Sequence, residues 1–241
     1  MRFSAKQKIF YKQAINNEIA PNKINKNISN KQLKVLIAGC GTGKQILQAV
    51  KYQNSKITAI DLSLSSLAYA KRKLDEIGIK NVELIQMDIL EIPLLKTNFD
   101  IIECGGVLHH MDNPSKGLEL LLSILNDNGF LKLGIYSELA RQDIVKARKY
   151  IKEQKLKPTD SDIRFFREKI ISGELNNLNS LKTSEDFYSL SQCRDLCFHS
   201  KEHRFTIQQL KEILKKNKLN FLGFFLPKEI KNFYGKYFPQ D

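Results

Sequence analysis

The stretch "VLIAGCGTGKQ", Val35 to Gln45, sets glycines at positions 39, 41 and 43 directly after an apolar run. Glycine lets a backbone turn sharply and lets a ligand come close to it. Three chemistries use such a turn. A phosphate loop read from Ala38 needs Ser or Thr after its lysine, because that hydroxyl holds magnesium. Here Lys44 is followed by Gln45. The dinucleotide pattern G-x-G-x-x-G needs a third glycine where Lys44 stands. What remains is G-x-G-x-G, where Gly39, Gly41 and Gly43 clear room for a nucleoside and an amino-acid tail. Asp61, 22 positions after Gly39, ends the next apolar run and could accept hydrogen bonds from two ribose hydroxyls. Asp88 ends a third apolar run, where a carboxylate could take the amino group of adenine.

Other reactive residues lie further along. His109 and His110 sit in "GVLHH", where an imidazole that titrates near neutrality could act as a base. Tyr136, Glu138 and Arg141 follow a later apolar run and are candidates for acceptor contact. "CRDLCFHSKEH" carries Cys193, Cys197, His199 and His203. On a helix the two cysteines share one face and the histidines do not. Zinc sites recruit ligands from separated elements, so the reading is no metal. Arg194, Asp195, His199 and His203 are instead candidates for an acceptor pocket.

These residues need elements to position them. "KVLIAG", "KITAID", "NVELIQMD", "FDIIECGG" and "FLKLGIY" read as five strands. Helices read between them: "KQILQAVKYQ", "SSLAYAKRKLDEIG" and "NPSKGLELLLSILNDNG". In the second of these, Leu67, Ala70, Leu74 and Ile77 fall on one face and Gly78 suits the stop. Alternating strands and helices predict an α/β fold, a Rossmann-like doubly wound, mostly parallel sheet. In such sheets ligands bind beyond the carboxyl ends of the strands, where strand order reverses. The glycine turn, Asp61, Asp88 and Gly105-Gly106 all fall at strand ends. After Tyr136 the alternation stops. Residues 137–205 read as helical, with no strand, an insert placed to cover the site. A helix capped by Thr206 and a sixth strand, "NFLGFFL", resume the core. The predicted organisation is an arm over 1–32, a core over 33–136 and 206–226, the insert over 137–205, and a tail over 227–241.

The chain's 241 residues suffice for a substantial core without disulfides, and four cysteines do not make a disulfide scaffold. No signal-peptide pattern opens the sequence and no run of about 20 apolar residues occurs, which predicts a cytoplasmic protein without a membrane partner. Its net charge is +13, yet only eight of the 39 basic residues are arginine. The lysines scatter over helix faces. That composition describes a solvated surface and argues against nucleic-acid binding.

The ordered motifs "VLIAGCGTG", "AIDLS", "MDI" and "FDIIECGGVLHHMDNP" resemble those of class I S-adenosylmethionine-dependent methyltransferases over about residues 33–136. "DLSLSSLAYAKRK", "LGIYSELARQDIVKAR" and "CRDLCFHSKEHRFT" are similar to a bacterial group of these enzymes often joined to tetratricopeptide repeats, which these 241 residues lack. The resemblance implies S-adenosyl-L-methionine as cofactor and no metal. It implies that Gly39, Cys40, Gly41 and Gly43 line the cofactor and that Asp61, with Leu62, holds the ribose. Asp88 and Ile89 would flank the adenine, and Glu103, Cys104 and Gly105 would face the methionine part. It also implies a closing hairpin of sixth and seventh strands, of which no seventh is visible, as in a truncated or compacted version. Base-methylating relatives carry an Asn/Asp-Pro-Pro-aromatic turn where this chain has "ECGGV". The expected activity is methyl transfer to a small-molecule acceptor by in-line displacement, with His109, His110 and Tyr136 as catalytic candidates. An RNA or protein acceptor, and a non-catalytic binding protein of the same fold, are the alternatives.

Overall fold

The computed structural model describes residues 19–21 and 32–237. It divides into two units. The first takes the chain to Leu108, Ser115–Gly134 and everything from Lys211; the second takes His109–Pro114 and Ile135–Leu210. Strand β1 (Ile19–Pro21) is followed in the first unit by β2 (Leu33–Ala38), α1 (Lys44–Ala49), β3 (Ser55–Asp61), α2 (Leu64–Glu76) and β4 (Val82–Gln86). A short 3₁₀ segment, Ile89–Leu95, leads to β5 (Phe99–Gly105), α3 (Pro114–Ser123) and β6 (Leu125–Gly134).

Five of these strands make one parallel sheet in the order β4-β3-β2-β5-β6. Succession runs outward from β2 to β4, then restarts on the other side at β5. The strand order therefore reverses between β2 and β5, the position at whose carboxyl ends sheets of this kind bind ligands. Every residue of β2 from Val35 to Ala38 is buried, as befits a strand covered on both faces. Val35 and Ile37 pack with Ile57, Ala59 and Ile101 of the neighbouring strands and with Ile46, Ala49 and Leu74 of α1 and α2. Leu67, Ala70 and Leu74 form the buried stripe of α2, but Ile77 is 49% exposed because the helix ends at Glu76. Gly78, at φ +74°, makes the stop.

Two expectations about this unit are corrected. The third helix ends at Ser123, not near Asn128. Leu125 already pairs with Phe99, and the register then jumps to Phe130 opposite Ile101, so 126–129 form a bulge within β6. The predicted sixth strand is β9 (Gly223–Phe225), and it pairs antiparallel with β1 rather than extending the sheet. A three-residue apolar run does not reveal its partner, since pairing is a long-range choice. The rest of the arm read over 1–32 lies largely outside the described residues. The tail contributes α8 (Lys228–Tyr237).

The second unit contains β7 (Tyr136–Ser137), α4 (Gln142–Glu153), α5 (Asp160–Ile171), α6 (Leu190–Phe198) and β8 (Arg204–Phe205). The expected strand-free insert in fact has a two-residue parallel pair, β7 with β8. Its helices bury residues at helical spacing: Ile144, Ala147 and Ile151; Ile163, Phe166 and Ile170; Cys193, Leu196 and Cys197. Side-chain oxygens of Thr159 and Ser189 cap α5 and α6. Thr206 caps α7 (Ile207–Lys216) through Gln209 N–H at 3.2 Å, and that helix runs across the boundary of the units. Phe166 is fully buried at the centre of the second unit. Phe166→Ala is expected to lower stability by about 3–5 kcal/mol, read from denaturant unfolding, through lost transfer energy and an unfilled cavity.

Candidate active site

The glycine turn is built by contacts to the strand beside it. Gly39 and Cys40 N–H both donate to the Ile60 carbonyl at 2.9 Å, so β3 holds the turn as β2 ends. Gly39 has φ +76°, and a Cβ there would sit 2.1 Å from the Val107 side chain. Both conformation and space demand glycine. Gly41, at φ +51°, differs: a Cβ would project into open space. The backbone there is bare toward whatever binds.

Asp61 closes the turn from β3. Its Oδ2 accepts from Gly41 N–H at 2.7 Å and its Oδ1 from Ser63 N–H at 2.9 Å. A carboxylate has about four lone-pair sites. With one main-chain donor on each oxygen, both oxygens keep capacity for a ligand hydroxyl. The Leu62 carbonyl is held by Gln86 Nε2 at 3.1 Å, and the Leu62 side chain is 65% exposed. Asp88 caps the 3₁₀ segment by accepting from Leu90 N–H at 2.8 Å, and Ile89 beside it is buried. This arrangement fits a nucleoside: bare backbone at Gly41, an anchored ribose acceptor at Asp61, and apolar and carboxylate groups after β4.

At the end of β5 the side chains are committed internally. The buried Glu103 carboxylate accepts from Tyr52 Oη at 2.6 Å and lies 3.8 Å from Lys132 Nζ. Burial pushes the Cys104 thiol up to about 12. Burial, with the Asp61 charge, does the same to Cys40, so both thiols stay protonated near neutral pH. The Gly105 carbonyl accepts from Gln45 Nε2 at 3.0 Å. Sequence reasoning passed over Gln45 after using it to exclude a phosphate loop.

The second unit gathers its own polar cluster. His109 is 1% exposed and its ring stacks on Tyr136 at 3.7 Å. The Arg141 guanidinium lies 3.8 Å from the Tyr136 ring centroid. His110 meets His109 at its edge, 4.3 Å between centroids, and His199 at 3.9 Å. The His110 ring donates to the Lys201 carbonyl through Nδ1 at 2.9 Å. Among the described residues neither ring nitrogen of His109 has a hydrogen-bond partner, although both are shut off from solvent. Burial, and then the nearby His110, push its pKa down to about 4, so the imidazole is neutral at physiological pH. Burial raises the Tyr136 hydroxyl and lowers His110 in the same way.

Glu202 organises the cluster and was not singled out by the sequence. Its side chain has no exposure, and Arg141, Arg148 and Arg204 all pair with it, the last two at 3.7 and 3.6 Å. Burial alone would raise its pKa, but the hydrogen bond and charge of Arg141, with the charges of Arg148 and Arg204, hold the carboxyl below its usual range. The available signal was arginine itself: three of only eight in the chain converge here. Glu138 pairs with Arg204 at 3.0 Å. His203 joins through its backbone, donating to the His109 carbonyl at 2.7 Å. Asp195 is exposed, and its charge raises the pKa values of His110 and Tyr136 against the other influences on them. Arg194 faces elsewhere, bonded to Pro158 O and to Asp160 at 3.0 and 2.7 Å. Cys193 and Cys197 lie in the apolar core while His199 follows the helix end. Among the described residues no three His, Cys, Asp or Glu side chains group to hold a metal ion.

A five-stranded parallel sheet with a glycine turn after its first strand and an anchored carboxylate after its second defines a nucleoside-binding α/β protein. The chain belongs to the methyltransferase domain family, whose model matches residues 29–218. It is 31% identical over 202 residues to an uncharacterized protein of a Synechococcus species, covering 79% of this chain and 48% of that one. It is 26% identical over 180 residues to the mitochondrial ubiquinone biosynthesis O-methyltransferase of Schizosaccharomyces pombe, covering 73% of this chain and 62% of that one. The structure of PKMT2 from Rickettsia typhi shares the fold with a TM-score of 0.68 at 22% identity, covering 95% of this chain and 48% of that one. That protein has also been solved in complex with AdoHcy. The chain spans about half the length of the curated protein of Synechococcus that it matches. Among the described residues no helix is long and apolar enough to cross a membrane.

The three-arginine pairing predicts a sharp cost for removing its centre. Glu202→Gln takes the counter-charge from Arg141 and Arg148 and leaves Arg204 with Glu138 alone, and is expected to destabilise the protein by about 3–5 kcal/mol in denaturant unfolding. Glu138→Gln, at the partly exposed rim, is expected to cost about 1 kcal/mol or less.

Proposed function

We propose that this chain is an S-adenosylmethionine-dependent methyltransferase acting on a small-molecule acceptor. One observation carries the reading most: the Asp61 carboxylate, fixed by Gly41 and Ser63 N–H with lone pairs to spare, stands where a ribose must be held. Family membership and the AdoHcy-bound relative support the same cofactor. The cofactor supplies a methyl already activated by its sulfonium. The protein's tasks are then to bind, to align and to take a proton where the acceptor carries one. Asp61 holds the ribose hydroxyls, Leu62 and Ile89 offer apolar contact to the base, and Asp88 takes its amino group.

His109 is the group that takes the acceptor's proton. It is neutral and, among the described residues, without a hydrogen-bond partner on either nitrogen, so an acceptor O–H, N–H or S–H bonds a ring nitrogen and passes its proton there as the new bond to the methyl makes that proton acidic. Tyr136, His110 and His199 surround that ring. A reacting imidazole with 1% exposure suits a small acceptor better than an RNA or a folded protein. The similarity to an O-methyltransferase of ubiquinone biosynthesis in Schizosaccharomyces pombe is in line with a small acceptor.

Calorimetry with S-adenosylhomocysteine tests the cofactor. The wild type is expected to bind it, and Asp61→Ala to weaken binding by about tenfold or more, the loss of hydrogen bonds to a charged group. Absence of binding by the wild type ends this reading. His109→Gln is expected to lower turnover about 100-fold with cofactor affinity unchanged. Because its pKa is held near 4, the wild-type rate rises with pH around that value and is flat above about pH 5. A rate that instead rises through pH 6.5 would show that another, solvated group is the base.

A further inference from the structure

Gln45 is the residue whose chemistry the reading above leaves unused. Its amide lies at the reversal of strand order: it stands in the first turn of α1, after β2, and its Nε2 donates to Gly105 O at the end of β5. β2 and β5 are direct neighbours in the sheet. The bond also orients the amide, since Oε1 facing a carbonyl would be repulsive. Gly105 accommodates the contact closely, because a Cβ there would lie 2.8 Å from Nε2. The other amide atom, Oε1, is shut off from solvent and has no hydrogen-bond partner. A buried carbonyl oxygen without a donor costs about 1–3 kcal/mol, so this acceptor is set for a donor that the described residues do not supply.

The order of the strands says which donor. Asp61 ends β3 and Asp88 follows β4, so the nucleoside lies over that side of the sheet. A tail leaving the ribose and crossing the glycine turn after β2 reaches β5 at its far end, where Gln45 stands. On S-adenosylmethionine the groups at that far end are an ammonium and a carboxylate, and of these only the ammonium donates.

We propose that Gln45 Oε1 accepts a hydrogen bond from the α-ammonium of the cofactor's amino-acid tail, while Nε2 keeps the amide in place on Gly105. This assignment rests on the cofactor reading above. It makes Gln45 a selector for the amino-acid tail, separate from the Asp61 contact that recognises the nucleoside.

Two ligands and two variants test it. S-adenosylhomocysteine carries the tail; 5′-methylthioadenosine has the same nucleoside thioether without it. Calorimetry with Gln45→Leu is expected to show about tenfold or greater weakening for S-adenosylhomocysteine and less than twofold for methylthioadenosine. The deaminated analogue of S-adenosylhomocysteine, which keeps the carboxylate, is expected to bind wild type and Gln45→Leu alike. Gln45→Glu, which keeps an acceptor oxygen, is expected to retain S-adenosylhomocysteine affinity better than Gln45→Leu. Binding of methylthioadenosine by each variant shows that it is folded. Equal weakening of both ligands, or no weakening of either, overturns the assignment while the cofactor reading stands. A wild type that binds neither ligand overturns both.

Discussion

The hydrogen bond from Gly41 N–H to the Asp61 carboxylate, at 2.7 Å, joins the two halves of the candidate nucleoside site. It can form only because β2 and β3 are parallel neighbours in register from Leu33 opposite Ser55 to Ala38 opposite Ile60. That register brings the Ile60 carbonyl under Gly39 and Cys40 and the next side chain, Asp61, beside Gly41. The helices α1 and α2 then follow from where the strands end. A slip of one residue would turn Asp61 to the other face and leave the turn without its anchor. Packing on both faces of β2 holds the register.

The second unit solves a different electrostatic problem. It buries a carboxylate and meets it with three guanidiniums, a choice that costs desolvation but surrounds the buried negative charge with positive partners. Arginine suits this because a planar fork can bond Glu202 and also lie flat on Tyr136, as Arg141 does. The same packing deprives His109 of water and so keeps it neutral. The ion pairing and the neutral imidazole here have one cause, exclusion of solvent.

Much of the first unit was legible because its signals are local. Gly39 must be glycine for its own φ, and strands buried on both faces read as unbroken apolar runs. Helix α2 is visible in three apolar residues and a terminal glycine. The errors have a common origin. Residues 126–129 leave the ladder because of a register jump that only the partner strand defines. Gly223–Phe225 pairs with a segment about 200 positions earlier, and β7 with β8 across some 65 residues. Pairings this long leave no periodic mark on either segment. The partners of Glu103 are long-range too: Tyr52 and Lys132 meet its carboxylate from positions that its own strand does not reveal.

By itself the sequence determined the sheet's class, the glycine turn and the acid that answers it, since each depends on residues a few positions apart or on the simple alternation of strand and helix. The tertiary structure decided which polar groups are used up and which are left over. It tied Arg194 to Asp160, closed three arginines on Glu202, and left the ring nitrogens of His109 and one oxygen of Gln45 buried with no hydrogen-bond partner among the described residues. Whether a polar atom is satisfied depends on everything within about 3 Å of it. Those neighbours come from distant parts of the chain, so that property is not written in the sequence around any one residue.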